Sequence, residues 1–307
     1  MHPFTRHHSA SVSALGEEAL IGRIRRWLGP VSPRAPFGIG DDCAVLPSVR
    51  GRQLITVDPV IYGRHFDDTV PARAAGAKLL KRNLSDLAAM GGQPVAAVLA
   101  LTLDARVSLR WVEGFYRGLA ACARRYAVPI VGGDLTQADG IIAASLTLLG
   151  RPAGPRILTR TGARTGDLIF VTGRLGGSRP GGHHHRFSAR LAEGAWLAQR
   201  REVRAMMDLS DGLAKDLHAL TPRGAVAALE PAALPRRRGC ALRAALTDGE
   251  DYELLFTLAR GADVAAFRRA WRKKFPRVLL TPIGRFARTL PAGAPNLADY
   301  HGYEHLR

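Results

Sequence analysis

Aspartates stand at the points where apolar runs of this chain give way to glycine, serine or a helix. Asp41 and Asp42 follow a Gly-x-Gly in "GIGDDCAVL", Asp58 closes "ITVD", and Asp86 lies in "NLSDLAAMG". Asp134 follows two glycines in "VGGDLT", while Asp208, Ser210 and Asp211 form "DLSDG". Acids are the scarce charge here, 26 Asp+Glu against 44 Lys+Arg. Carboxylates that end strands or line a polar helix face converge on a cleft, and such hard oxygen donors suit Mg²⁺, which takes one or two carboxylates per ion. Several of them from separate segments imply more than one ion, the arrangement that neutralises a nucleoside triphosphate.

Each motif also has a local reading. "DDC" and "GGD" serve as turns, Asp86 stands four residues after Arg82 as a helical ion pair does, and "DLSDG" resembles a helix cap. Their joint occurrence argues for a site. None of the five lysines follows a glycine, so no GxxxxGK[ST] loop is present, and neither HRD nor DFG occurs. Bound phosphates must therefore be met by metals, arginine and backbone amides.

The elements that position these residues alternate. Helices are expected over "EEALIGRIRRWLG", "PARAAGAKLLKRNLSDLAAMGG" and the run capped by Ser108. Strands are expected over "CAVL", "QLITVDPVI", "VAAVLALTL", "VPIVGGDLT" and "IIAASLTLLG". Proline, glycine and arginine thicken near residue 150, marking a boundary between an N-terminal domain, 16–150, and a C-terminal one, 151–307. Beyond it come the strands "DLIFVTG", "EDYELLFTL" and "VLLTPIGRF", the strand-to-helix "AMMDLSDGLAKDLHAL" and the helix "GADVAAFRRAWRKKF". The fold class is α/β (α+β-like), with two domains, each an antiparallel-rich sheet with helices on one side.

Composition bounds the rest. The 307 residues are 47% hydrophobic and 23% charged, as in soluble globular proteins. No apolar stretch reaches the roughly 18 residues of a bilayer span. The net charge of +18 rests on 39 arginines spread along the chain, with "PRRRG" at 235–239 as the densest run and no interleaved aromatics. Nucleic-acid binding as the main function is thereby disfavoured. Cys43, Cys122 and Cys240 form no CxxC pair, which fits a reducing cytoplasm. Residues 1–15 read as a frayed extension without an apolar leader core.

The ordered set "GIGDDCAVL", "TVDPVIYGRHF", "NLSDLAAMGGQP", "VGGDLT", "LTRTGARTGDLIFVTG", "MMDLSDGLAKDL", "TDGEDYELLF" and "DYHGYEHL" resembles thiamine-monophosphate kinase. That family shares a superfamily with aminoimidazole ribonucleotide synthetase and selenophosphate synthetase. The resemblance implies transfer of the ATP γ-phosphoryl onto thiamine monophosphate with Mg²⁺, in a homodimer whose N-terminal sheets pair. It implies metal contacts from Asp42, Thr56, Val57 (backbone only), Asp58, Asp86, Asp134, Asp208 and Asp211. ATP would meet Tyr116, Gly133, Asp134, Arg160 and Ser210, and the thiamine substrate would meet His65, Glu250 and Tyr300.

No catalytic base is expected, since a phosphate monoester with a second pKa of about 6 is already ionised. Each carried-over residue keeps a plainer alternative: core packing for Tyr116, surface packing for Tyr300, a solvated charge for Arg160. The chain departs from the family at Val57, at Leu135, in "IYGRHF", and in a shortened segment carrying His183, His184 and His185, expected as a loop over the nucleotide cleft or plain surface. A sister ATP-using activity is the alternative, though no cysteine precedes Cys43 to serve a selenophosphate synthetase. A basic nucleic-acid-binding protein that kept the fold is the other.

Overall fold

The computed structural model describes residues 2–40, 43–46, 48 and 51–304. The chain forms two compact units, Met1–Leu87 with Pro94–Arg151, and Ala88–Gln93 with Pro152–Arg307.

In the first unit, α1 (Glu17–Leu28) buries Leu20, Ile24 and Leu28, one apolar residue per turn. A four-stranded sheet follows, in the order β1-β4-β2-β3. Its strands are β1 (Leu54–Ile61), β2 (Gly92–Leu103), β3 (Ile130–Gln137) and β4 (Ile142–Pro152). β1 runs antiparallel to β4, with Asp58 opposite Leu146, and β2 runs parallel to β3. The helices α2 (Ala72–Ala89) and α3 (Leu109–Tyr126) bury Leu79, Leu80 and Leu84 and Trp111, Phe115 and Leu119. Ile55, Val57 and Val98 point the other way and stay 73%, 61% and 40% exposed.

Three local expectations change. "CAVL" forms no strand: residues 43–46 are irregular, with Val45 and Leu46 exposed. Ser108 sits at the α3 N-cap without a side-chain capping bond, and its N–H donates to the Pro3 carbonyl at 2.7 Å. The segment before α1 is not frayed where it is described. Phe4 and Ser11 bridge Val107 and Ser108, Thr5 N–H donates to the Arg106 carbonyl, and Val12 is buried. Pairing with the 104–108 turn satisfies backbone groups that the composition alone leaves to water.

The second unit holds a five-stranded sheet in the order β6-β8-β5-β9-β7, antiparallel at every pairing. Its strands are β5 (Leu168–Thr172), β6 (Val203–Asp208), β7 (Val226–Leu229), β8 (Leu254–Leu258) and β9 (Leu280–Ala287). Helices cover both of its faces, not one. Ile169, Val171, Met207 and Leu255 pack with Leu213 and Leu217 of α6 (Leu213–Leu220) and Leu246 of α7 (Leu242–Thr247). Phe170, Met206, Phe256 and Leu258 pack with Trp196 of α5 (Leu191–Ala198) and with Phe267 and Trp271 of α8 (Val264–Lys274). β8, buried at every position, is apolar toward both layers. The short helix α4 (His183–Arg186) lies in the β5–α5 connection. No helix among the described residues is long and apolar enough to cross a membrane.

Candidate active site

In the first unit the middle of β1 meets α2, and Asp58 does not close its strand, which continues in register with β4 to Ile61. Thr56 Oγ1 donates to Asp86 Oδ2 at 2.5 Å, and Arg82 Nη2 donates to Asp58 Oδ1 at 3.1 Å. Arg82 thus pairs with Asp58, and its other Nη atom donates to the Pro59 carbonyl at 2.6 Å. The Val57 side chain points outward and supplies no oxygen. His65 is half-buried; its Nδ1 accepts from Ile61 N–H at 3.1 Å, and its carbonyl accepts from Lys78 Nζ at 2.6 Å.

Asp134 lies exposed on β3, where Thr136 Oγ1 donates to its Oδ2 at 2.9 Å. Gly133 is required by packing, because a Cβ there would stand 2.2 Å from the Leu99 carbonyl oxygen. β1 and β3 are opposite edges of the sheet. Three strand steps of ~4.8 Å separate the strands that carry Asp58 and Asp134, so they are not sheet neighbours. Tyr116 is buried in the core, its ring 6.3 Å from Trp27 and 5.7 Å from Phe115. Burial pushes its phenol pKa upward. The geometry favours core packing over ATP contact at this position. Asp42 lies outside the described residues.

In the second unit β6 ends at Asp208, which is 3% exposed, and the chain turns through Ser210 and Asp211 into α6. Asp216, one turn into that helix, organises the turn: its Oδ2 accepts from the Ser210 and Asp211 N–H groups at 3.0 Å each. Burial pushes its carboxyl up to about 7, against the pull of the Asp211 N–H; the Asp211 charge adds to the rise, and the Ser210 N–H and Arg160 oppose it. Arg160, itself exposed, is thus within electrostatic reach of this turn. Asp211 Oδ2 lies 2.7 Å from Lys215 Nζ, which also donates to the Tyr303 carbonyl at 2.5 Å. The Tyr303 N–H returns to the Asp211 carbonyl at 2.9 Å. At Gly302 a Cβ would stand 2.4 Å from that same carbonyl oxygen, so the tail can lie this close only as glycine.

The loop at 250–253 runs beside the turn: Glu250 N–H donates to the Ser210 carbonyl at 2.7 Å and Tyr252 N–H to the Leu209 carbonyl at 2.7 Å. Glu250 and Tyr252 hold left-handed φ of 64° and 51°, a conformation non-glycine residues adopt at a cost. Glu250 Oε2 lies 3.5 Å from Arg179 Nε and 3.6 Å from His184 Nδ1. Tyr300 packs half-buried on the core with the Arg243 guanidinium 5.8 Å from its ring centroid, so a cation already faces it.

Composition and spacing missed the residues that shape this region. Asp251 is buried and accepts from Gly176 N–H, Ser178 Oγ and Arg237. Asp248 accepts from Gly177 N–H at 2.8 Å. Glu253 takes two bonds from Arg190, at 2.8 and 2.7 Å, and one from Thr172 Oγ1 at 2.7 Å. The available signal was the density of acids in "DGEDYE". The histidine segment is not plain surface either. His184 is buried, His183 Nε2 lies 3.1 Å from the Asp251 carbonyl, and burial lowers the His183 pKa.

Among the described residues no three His, Cys, Asp or Glu side chains converge as a metal site. The donors come instead as small all-oxygen groups, Thr56 with Asp86 and Asp208 with Ser210 and Asp211, and an ammonium sits on Asp211 as a stand-in cation. That chemistry fits Mg²⁺, which needs few protein carboxylates.

The family described as AIR synthase related protein, N-terminal domain, matches residues 40–151. The thiamine-monophosphate kinase of Salmonella typhimurium is 35% identical over 95% of this chain and 99% of its own length. That of Rhodopirellula baltica is 37% identical over 74% of this chain and 77% of its own. The chain belongs to the thiamine-monophosphate kinase family. The crystal structure of the thiamine-monophosphate kinase from Stenotrophomonas maltophilia superposes with a TM-score of 0.73 at 31% identity, covering 90% of this chain and 95% of that one. A solved AaThiL complexed with AMPPCP and TMP superposes at 0.69 with 28% identity, covering 96% and 98%. Within the thiamine-monophosphate kinase family, then, the shared features of this chain extend over both units.

Proposed function

We propose that this chain transfers the γ-phosphoryl group of ATP to the phosphate of thiamine monophosphate, giving thiamine diphosphate. The observation that carries this reading is 35% identity to a thiamine-monophosphate kinase across 95% of the chain. The reaction joins two polyanions, so the protein's work is charge neutralisation and alignment rather than proton abstraction. Thr56, Asp58, Asp86 and Asp134 in one unit and Asp208 and Asp211 in the other would hold Mg²⁺, with Val57 contributing at most backbone. Bound there, Mg²⁺ supplies the positive charge that lets the phosphates approach.

Ser210 and the exposed Arg160 would meet ATP beside the turn that Asp216 organises; Gly133, taken by itself in the first unit, is a further candidate for contact with ATP. Glu250 offers its carboxylate to the acceptor's exocyclic amine, and His65 adds a polar contact. Tyr300 stacks on a cation already, in the form of Arg243; a thiazolium in its place gains about 0.5–2 kcal/mol. The exposed Ile55, Val57 and Val98 support a homodimer in which the first units pair sheet to sheet. Three cysteines outside any disulfide suit a cytoplasmic setting.

The test is a coupled ADP-release assay with Mg²⁺, with and without thiamine monophosphate, on wild type and Asp211→Asn. ADP release that depends on thiamine monophosphate and collapses in the variant is expected. Release that ignores the acceptor rejects the substrate, and equal turnover of the two proteins rejects Asp211 as a ligand.

A further inference from the structure

The outer face of α8 is a cationic surface that phosphoryl transfer does not use. Ten residues, 268–277, hold Arg268, Arg269, Arg272, Lys273, Lys274 and Arg277, a longer cationic run than "PRRRG", and no acid occurs from 264 to 287. All six cations are exposed. Elsewhere in this unit arginines find carboxylates: Arg190 binds Glu253, Arg237 binds Asp251, and Arg204 reaches Asp167. No carboxylate among the described residues pairs with any of the six.

Arg268 and Arg272, and Arg269 and Lys273, are like-charge neighbours at i,i+4, a spacing that destabilises an isolated helix. The helix dipole rewards cations only in the last turn, so it accounts for Arg272, Lys273 and Lys274 but not for Arg268 or Arg269, and Arg277 follows just beyond the helix. The helix tolerates the repulsion because its other face is anchored: Phe267 and Trp271 are buried in the core, and Asp263 Oδ1 accepts from Ala266 N–H at 2.8 Å at the N-terminus.

We propose that this face binds the phosphate backbone of nucleic acid, without sequence preference, as a second property of the chain. The i,i+4 pairs step about 6 Å along the helix, close to two phosphate steps at ~3.4 Å of axis each. Four of the six cations are arginines, whose planar forks match phosphate. No tyrosine, histidine or exposed aromatic lies in 268–277 to stack on bases, so the contact is to backbone. A membrane surface fits less well. An interfacial helix inserts its apolar face, and here that face is already in the core.

The experiment is fluorescence anisotropy of the full chain with a labelled mixed-sequence single-stranded RNA of about 30 nucleotides, titrated between about 50 and 300 mM salt. Wild type is compared with Arg268→Gln/Arg269→Gln/Arg272→Gln/Lys273→Gln. A charge-matched control is Arg26→Gln/Arg34→Gln/Arg110→Gln/Arg124→Gln, all exposed positions of the first unit. Four to six phosphate contacts give a log–log salt slope of about −3 to −4. The α8 variant is expected to lose at least about tenfold in affinity and to flatten that slope to about −1.5, with the control unchanged. ADP release at the wild-type rate by both variants reports that each is folded. Equal weakening in both would assign the binding to overall charge and overturn the proposal. So would absence of RNA binding by wild type at the lowest salt, or binding to phosphatidylserine vesicles but not RNA.

Discussion

Lys215 holds Asp211 as a bound cation would, at 2.7 Å, while its remaining donors reach the Tyr303 carbonyl. Both side chains are about one-third exposed, so the pair is worth only ~0.2–1 kcal/mol. A divalent ion on Asp211 must displace this ammonium. Lys215→Met is therefore expected to bind Mg²⁺ about two- to fivefold more tightly in calorimetric titration; unchanged affinity means that ion and ammonium do not share the carboxylate. Asp216 makes a pH-dependent case beside it. Its carboxyl is raised from 3.8 to about 7 by burial, so its contribution to stability is fully present below about pH 4 and is lost as pH rises through about 7. Asp216→Asn keeps an oxygen for the Ser210 and Asp211 N–H groups and removes the titration. In thermal melts of metal-free protein, wild type should lose its advantage over the variant between about pH 4 and 7. A constant gap across that window would mean that Asp216 is not held protonated. Neither residue stands out in the sequence, because "DGLAKDL" reads as an ordinary amphipathic start and the tail that meets it is 88 positions away.

The connection from β5 to α5 is held by acids from the 248–253 segment. Glu253 is buried and binds Arg190 through both oxygens as well as Thr172. Removing it takes the two short bonds from a largely buried guanidinium and leaves Glu193, 3.6 Å away, as its carboxylate, for which the cost is about 1–3 kcal/mol. Glu253→Ala should lower the unfolding free energy by that order in urea and raise amide exchange across residues 174–186; a loss under about 1 kcal/mol would show that Arg190 finds water instead. Such tethers span 63 to 81 positions, as in Arg190–Glu253 and Thr172–Glu253, and leave no local period to read. Elements with a period were legible. α1 shows Leu20, Ile24 and Leu28 on one face, and β5 and β8 are apolar runs too short for helices. "CAVL" failed because four apolar-leaning residues make a strand only where a neighbour offers its ladder. The aspartate motifs were legible as motifs. Which partner each would meet, Asp58 with Arg82 or Asp211 with Lys215, was decided by tertiary geometry.

At the scale of the molecule, one face of the first sheet packs on α2 and α3, while the other presents Ile55, Val57 and Val98 to solvent. Large exposed apolar residues on one sheet face are what the proposed homodimer would cover. Burying that face returns ~25 cal/mol per Å², and a stable pairing needs about 800 Å² from each partner. Ile55 is the informative position: it is 73% exposed, and its side chain lies away from Thr56 and Asp58. An aspartate there would be buried unpaired at the pairing face, costing several kcal/mol per interface copy, yet would cost the isolated protomer little. Light scattering on wild type should therefore give twice 33.1 kDa and on Ile55→Asp should give 33.1 kDa at micromolar concentration. The melting transition of the variant should then become independent of protein concentration, as mass action requires once association is gone. Wild type that remains at 33.1 kDa up to the highest concentration would leave this face without its second copy.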